Sequence, residues 1–232
     1  MPKLIAGVVK FQREVFPQQR ALFDKLSHGQ APEALFITCS DSRIDPNLVT
    51  QMQPGELFIC RNAGNIVPPH TMNTGAMTAA IEYAIGALKV PHIVVCGHSE
   101  CGAMKGALDR GSLNSLPHTA EWLSYAQAAV QIVEARDKDL SREDKLLRLT
   151  EENVILQLTH LRSHPHVAQA LAQGQVTLRG WVYDIKTGGM RAFDEQTRSF
   201  KPVEELYADL PEEVIRQVEG HHPCPAGSGG TS

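Results

Sequence analysis

The chain has 232 residues, a formal net charge of −4, 42% hydrophobic and 21% charged residues, the profile of an ordinary globular protein with room for one substantial α/β domain or two small ones. It has no basic face suited to nucleic acid and no acidic tract, and Glu82 and Lys89 interrupt its best apolar run, so a membrane span is not expected. Five cysteines behind an N-terminus, MPKLIAGVVKFQREVF, without a secretory pattern predict reduced thiols in a cytoplasmic protein, some of them ligands, and argue against a disulfide framework.

Residues 3–27 show helical spacing through Leu4, Val8, Phe11, Val15, Leu22, Phe23 and Leu26, with Pro17 expected to break or kink the run and Gly29 to end it. Residues 34–39, ALFITC, read as a buried parallel strand, and 46–52 as a short helix opened by Asp45 and Pro46. Residues 56–60 form a second strand before the polar turn RNAGN, and 74–88 a helix of small apolar residues. Residues 92–96, HIVVC, are a third strand, followed by GHSEC and a small-residue helix to about 108. Helices fill 119–135, 142–162 and 166–172. A fourth strand covers 176–183 and a short edge strand 190–200. The Gly-, Pro- and Ser-rich stretch 219–232 is expected to be a disordered tail behind a single domain, 1–218. Strands alternating with helices predict an α/β fold with a small, mainly parallel sheet flanked by helices.

Ligands in such sheets sit beyond the carboxyl ends of the strands. Two strand ends here carry unusual residues, Cys39-Ser-Asp41-Ser-Arg43 and His98-Ser-Glu-Cys101. A helix starting near Ser99 as N-cap would place His98 and Cys101 on one face, with Cys101 in the first turn, where the dipole favours a thiolate. Two thiolates and one imidazole suit zinc, and three protein ligands leave one tetrahedral position open, as in catalytic sites. Zinc so held brings the pKa of bound water to about 7.

Two thiolates also cancel the formal charge of the ion and weaken it as an acid. A carboxylate beside the water, Asp41, would accept its hydrogen bond and help remove the proton. Arg43, expected on the same side of an extended segment, would restrain that carboxylate from binding the metal itself. Singly, a strand-end cysteine, an H-x-x-C pair and an Asp-x-Arg pair each have an ordinary structural explanation. At the ends of two neighbouring strands they point together to a site.

CSDSR (39–43), RNAGN (61–65) and GHSECGAM (97–104) resemble the blocks of a β-class carbonic anhydrase, by active-site pattern the plant-like, type I subgroup, and the resemblance covers residues 3 to about 200. It implies one zinc per subunit on Cys39, His98 and Cys101, with Asp41 and Arg43 as catalytic dyad. The implied reaction is reversible hydration of CO2 to bicarbonate and a proton through zinc-bound hydroxide. It further implies an N-terminal helical arm, 1–28, packing on a partner subunit in a homodimer or homotetramer. Gln30 matches a substrate contact made across the subunit interface, the Gly102 N–H a donor to substrate, and Phe58 and Ala63 the apolar wall of the CO2 pocket. Phe36, Arg61 and Tyr183 match a second, inhibitory bicarbonate site in which a tryptophan stands where this chain has Phe36. Phenylalanine offers no N–H, so bicarbonate inhibition through that site is expected to be weak or absent, and zinc is expected to keep its water at neutral pH.

Cys96 and Cys60 read as core strand residues, Trp122 and Trp181 as packing residues, and His160, His164 and His166 as surface positions near a helix end. His221, His222 and Cys224 in the tail have no scaffold to hold them. The alternatives are hydrolysis of another small linear molecule such as carbon disulfide on the same scaffold, or a non-enzymatic zinc module closed by Cys96 or Asp41. A thiol redox role is disfavoured by the lack of C-x-x-C.

Overall fold

The computed structural model describes residues 1–72, 74–211 and 214, which fall into two units divided between Ala31 and Pro32. The expected tail, with His221, His222 and Cys224, lies outside the described residues.

In the first unit Pro17 does not end the helical run. Helix α1 (Pro2–Lys10) widens into a π turn over Phe11–Val15, and α2 (Phe16–Gln18) begins directly after it. Proline lacks the N–H for an interior helical bond but fits a first turn. Restarting the helix at Phe16 puts Pro17 in that position. Helix α3 (Arg20–Leu26) follows, and the rings of Phe11, Phe16 and Phe23 meet with centroids 5.3–6.0 Å apart. None of the three helices carries a buried residue.

The second unit is built on six strands in the order β2-β1-β3-β4-β5-β6. Strands β1 (Ala34–Cys39), β2 (Leu57–Asn62), β3 (His92–His98) and β4 (Thr177–Tyr183) run parallel. Strands β5 (Met190–Asp194) and β6 (Ser199–Pro202) add an antiparallel hairpin where one edge strand was expected. The turn lacks glycine. It closes on Asp194, whose carboxylate accepts from Gln196 N, Thr197 Oγ1 and Lys201 Nζ. The chain leaves β1 towards β2 on one side and reaches β3 on the other, so the topological switch point lies between the carboxyl ends of β1 and β3.

Helix α4 (Pro46–Thr50) follows β1, opened as expected by Asp45, which accepts from the N–H groups of Asn47 and Leu48. Helix α5 (Ala76–Glu82) continues through a π turn to Ala87 before β3. Between β3 and β4 come α6 (Gly102–Leu108), α7 (Pro117–Trp122), α8 (Gln127–Arg136), α9 (Arg142–Leu161) and α10 (Pro165–Ala172), and α11 (Val203–Leu206) follows β6. One core cluster joins Leu35, Ile37, Ile93, Val95, Leu178 and Val182 of the sheet to Ile81, Val154, Leu158 and Val167 of α5, α9 and α10. A second lies past the strand ends, where Cys39 and Cys101 sit among Ile44, Ile66, Met104 and residues of α8 and α9.

Helix α9 approaches the sheet closely. A Cβ on Gly97 would stand 3.0 Å from methyls of Thr150 and Val154, and one on Gly180 2.8 Å from Val154. The backbone immediately before His98 is therefore pressed against a buried helix.

Candidate metal centre

Cys39 closes β1 and His98 closes β3, on adjacent parallel strands at the switch point. The Thr38 hydroxyl donates to Cys96 O at 2.9 Å and pins the two strands just before Cys39 and His98. Cys101 arrives by a route different from the one expected. No helix begins at Ser99: Cys101 is itself the N-cap and α6 starts at Gly102. The Ser99 hydroxyl donates to Asp184 Oδ1 and accepts from Ile185 N, both at 2.9 Å, so it is committed to the end of β4. Glu100 takes a left-handed backbone conformation, φ 59°, and this tight reversal, not helical spacing, turns Cys101 back towards His98.

The ligand atoms of Cys39, His98 and Cys101 all lie within 4.8 Å of one another, and all three residues are buried. The two sulfurs are 4.0 Å apart, close to the roughly 3.8 Å edge of a tetrahedron with Zn–S bonds of about 2.3 Å. His98 Nδ1 lies 2.8 Å from the carbonyl oxygen of Ser99. A carbonyl only accepts, so Nδ1 carries the proton and Nε2 presents its lone pair. Nε2 is buried with no hydrogen-bond partner, which costs stability unless something is ligated there.

The thiols act as a pair. The Cys101 hydrogen bond, with further backbone bonds from the Gly64 N–H and at Asp41, holds Cys39 down to about 4 against the effect of burial. Cys101 is pushed up, first by the sulfur of Cys39 beside it and then by burial. The metal-free pair thus retains one proton at neutral pH, which a divalent cation would displace. The donor set fits zinc.

Asp41 and Arg43 lie in a turn, not in the extended segment expected. Ile44 N donates to Asp41 O at 3.2 Å, and Arg43 N to Asp41 Oδ1 at 3.0 Å. The restraint comes from this Asx turn plus a two-pronged pair: Arg43 Nε to Oδ1 at 2.9 Å and Nη2 to Oδ2 at 2.7 Å. Arg43 Nη2 also reaches Glu100 O at 3.2 Å. Held first by the Arg43 guanidinium, the Asp41 carboxyl sits well below the usual carboxylate range. Its Oδ2 lies 3.9 Å from His98 Nε2, at the edge of the ligand cluster.

Two residues do work that the sequence did not show. Arg61 donates from Nε to Cys39 O at 3.0 Å and from Nη2 to Asp41 O at 2.6 Å, clamping the backbone of Cys39 and Asp41 together. Gly64 donates its N–H to Cys39 Sγ at 3.4 Å. Its φ is +80°, a conformation that favours glycine, and a Cβ there would also crowd Ala103 Cβ at 3.1 Å and Met104 Cε at 2.9 Å. The arginine and glycine of RNAGN were visible as part of a polar turn, but their contacts were not.

The other candidates scatter. Gly102, first residue of α6, is exposed, and half-buried Ala63 accepts from Trp122 Nε1 at 3.0 Å, a polar tie beyond the packing role expected of that tryptophan. Phe58 pairs with Leu35, four residues before Cys39, about 13 Å back along the strand at 3.3 Å per residue. It packs on the first core cluster and on Tyr83 and does not join the metal centre of its own chain. Gln30 lies exposed in the first unit. Phe36 and Tyr183 share a cluster with Val94, Cys96 and Trp181 on the opposite sheet face. Cys96 is fully buried there and outside the ligand set, whereas Cys60 is half-buried on edge strand β2. The histidine expectation needs correction. His164 is buried with Nε2 3.0 Å from Pro68 O, and half-buried His160 has Nδ1 2.7 Å from Val67 O. Of the three only His166 is exposed.

A parallel-sheet switch point presenting two cysteines and a histidine defines a zinc-type centre in an α/β enzyme. The family model described as carbonic anhydrase matches residues 34–190. The chain is 47% identical over 222 residues to a carbonic anhydrase of Pseudomonas aeruginosa, covering 95% of this chain and 97% of that protein. It is 48% identical to carbonic anhydrase 1 of Escherichia coli O157:H7, covering 88% and 92%. Among solved structures, the β-carbonic anhydrase CcaA superimposes with a TM-score of 0.85 at 44% identity, over 87% of this chain and 91% of that one. A tetrameric β-carbonic anhydrase of Sordaria macrospora gives 0.73 at 34% identity, over 82% and 94%. The chain belongs to the β-class carbonic anhydrases, zinc enzymes of carbon dioxide hydration. Carbon disulfide hydrolysis is not favoured.

Proposed function

We propose that Cys39, His98 and Cys101 hold the zinc with which this chain interconverts CO2 and bicarbonate, and that Asp41 and Arg43 are its catalytic dyad. The observation that carries the reading is the bare, buried Nε2 of His98 facing two sulfurs 4.0 Å apart. Zinc, when bound, supplies Lewis-acid activation of water at neutral pH.

The chain supplies orientation and proton handling. Asp41 stays ionised because Arg43 supplies its hydrogen bonds. A carboxylate held that low accepts a hydrogen bond well but keeps a proton poorly, since an efficient base has a pKa near the working pH. Its role is therefore to accept the hydrogen bond of the attacking oxygen and orient it, while the released proton passes to solvent carriers. Arg43 keeps the carboxylate from turning onto the metal, which supports the open, type I arrangement. Ala63 and the Gly102 N–H would supply the substrate side from within one subunit, an apolar wall and one donor, which suits a nonpolar linear molecule.

Assembly completes the site in this reading. The first unit exposes Leu4, Ile5, Val8 and Phe11, and a second copy of the chain would cover them in a homo-oligomer, as the tetrameric Sordaria relative supports. Phe58, absent from its own chain's centre, would serve the partner's, and the resemblance gives Gln30 a role of the same kind. Among the described residues no helix is long and apolar enough to cross a membrane.

Stopped-flow CO2 hydration with a pH indicator, with and without a chelator, tests the activity. Asp41→Ala should keep the zinc and lose most of the rate, and Cys101→Ala should lose the zinc. Activity that survives complete removal of zinc would refute the assignment.

A further inference from the structure

Helix α9 carries a polar stripe into an apolar core. Asn153, Gln157 and His160 recur at spacings of four and three on one face. Asn153 is 1% exposed and Gln157 is fully buried, next to Val154 and Leu158. Buried amides are costly unless bonded, so their partners show what they serve.

Those partners lie in one loop, 64–67, directly after β2. Asn153 Nδ2 donates to Gly64 O at 3.0 Å. Gln157 Nε2 donates to Asn153 Oδ1 at 2.8 Å, and Gln157 Oε1 accepts from Val67 N at 2.8 Å. His160 Nδ1 stands 2.7 Å from Val67 O and 3.1 Å from Gln157 Oε1, two acceptors, so it carries the proton and donates. On its other side the same Gly64 gives its N–H to Cys39 Sγ. One glycine thus bridges the helix amides and the sulfur.

We infer that Asn153, Gln157 and His160 are positioning residues for Cys39: they hold loop 64–67 by the Gly64 carbonyl and both backbone groups of Val67, and so keep the Gly64 N–H, on the preceding peptide, at the sulfur. The inference rests on Cys39 being a metal ligand. An N–H bond draws electron density from a thiolate, and outer partners of this kind tune the metal. The effect matters more here than with three histidines, because two thiolates already cancel the formal charge of the ion. Losing the stripe leaves Cys39 more electron-rich and the metal a weaker acid.

The test uses the full-length protein loaded with Co(II), whose sulfur-to-metal charge-transfer band reports thiolate electron density. Asn153→Ala and the volume-conserving Gln157→Met should shift the band to longer wavelength and raise the pH of half-maximal activity. Zinc affinity by chelator competition should fall about 3–10-fold, less than the 10–100-fold typical of groups bonded directly to a ligand. Leu158→Ala, on the same helix but facing the sheet core, should lower the melting temperature and leave the band in place. If Asn153→Ala does not fold, Gln157→Met carries the test alone. Wild-type band and affinity in the folded variants, or an equal shift in Leu158→Ala, would overturn the inference. A wild-type protein with no thiolate band at all would instead refute the metal reading itself, and the inference with it.

Discussion

Arg43 meets Asp41 with three N–H donors: its backbone N and Nε on Oδ1 at 3.0 and 2.9 Å, and Nη2 on Oδ2 at 2.7 Å. Only an arginine two residues on, folded back by an Asx turn, can deliver a backbone donor and a planar fork to one carboxylate. Arg43→Met should therefore retain zinc and lose about 100-fold in CO2 hydration, the lower end of what a positioned acid–base group contributes. Arg43→Lys should rescue little, because an ammonium lacks the fork. Metal analysis beside stopped-flow rates checks this, and a lysine variant with wild-type rates would count against it.

The same pair sets a pH dependence. Asp41 has a folded-state pKa held below its unfolded value, first by the Arg43 hydrogen bonds. Such a carboxyl stabilises the fold at all pH values above its unfolded pKa, about 3.9, and loses that contribution as pH falls through the folded value. The melting-temperature difference between wild type and Asp41→Asn should stay constant from pH 5 to 9 and shrink only below about pH 4. Loss of activity at pH 5–6 must then come from groups other than Asp41. A stability difference that vanished near pH 6 would contradict this account.

Metal uptake should be coupled to protons in a definite number. With Cys39 held down to about 4 and Cys101 pushed up beside it, the metal-free pair enters neutral solution with one thiolate and one thiol. Zinc binding at pH 7 should release about one proton, not two, because both ligands are thiolates once bound. Calorimetry in buffers of different ionisation enthalpy gives the number directly. Two protons released would mean that the sulfurs do not share one in the metal-free state.

The sequence revealed the site more clearly than its supports. Cys39, His98 and Cys101 were legible because strand ends at a switch point collect ligands and because thiolate and imidazole have few bland reasons to gather there. Cys101's approach was misread because Ser99 looked like a cap, while its hydroxyl is spent on Asp184 and Ile185 N. Nothing local in the sequence shows a bond spanning 85 residues. Asn153 and Gln157 were overlooked for a related reason. On a helix wheel they read as an ordinary polar face, and only the loop packed against them makes that face buried. The 190–194 and 199–202 hairpin was compressed to one strand because its turn closes on the Asp194 side chain instead of on glycine.

The last prediction concerns the second bicarbonate site. Arg61 spends Nε and Nη2 on the carbonyls of Cys39 and Asp41, so an anion could engage that guanidinium only by loosening the backbone of those two residues. Phe36 is 1% exposed and meets Trp181 edge-on at 6.1 Å, with no N–H to offer. Bicarbonate should therefore inhibit CO2 hydration as a simple product, with a Hill coefficient near 1. Phe36→Trp should not install cooperativity. It should overpack a full core and cost about 1–3 kcal/mol, read as a lower melting temperature. Arg61→Met should weaken zinc retention and rate together, because its two acceptors belong to the metal centre. Steeply sigmoidal bicarbonate inhibition of the wild type, abolished by Arg61→Met, would show that the guanidinium does leave those carbonyls for an anion.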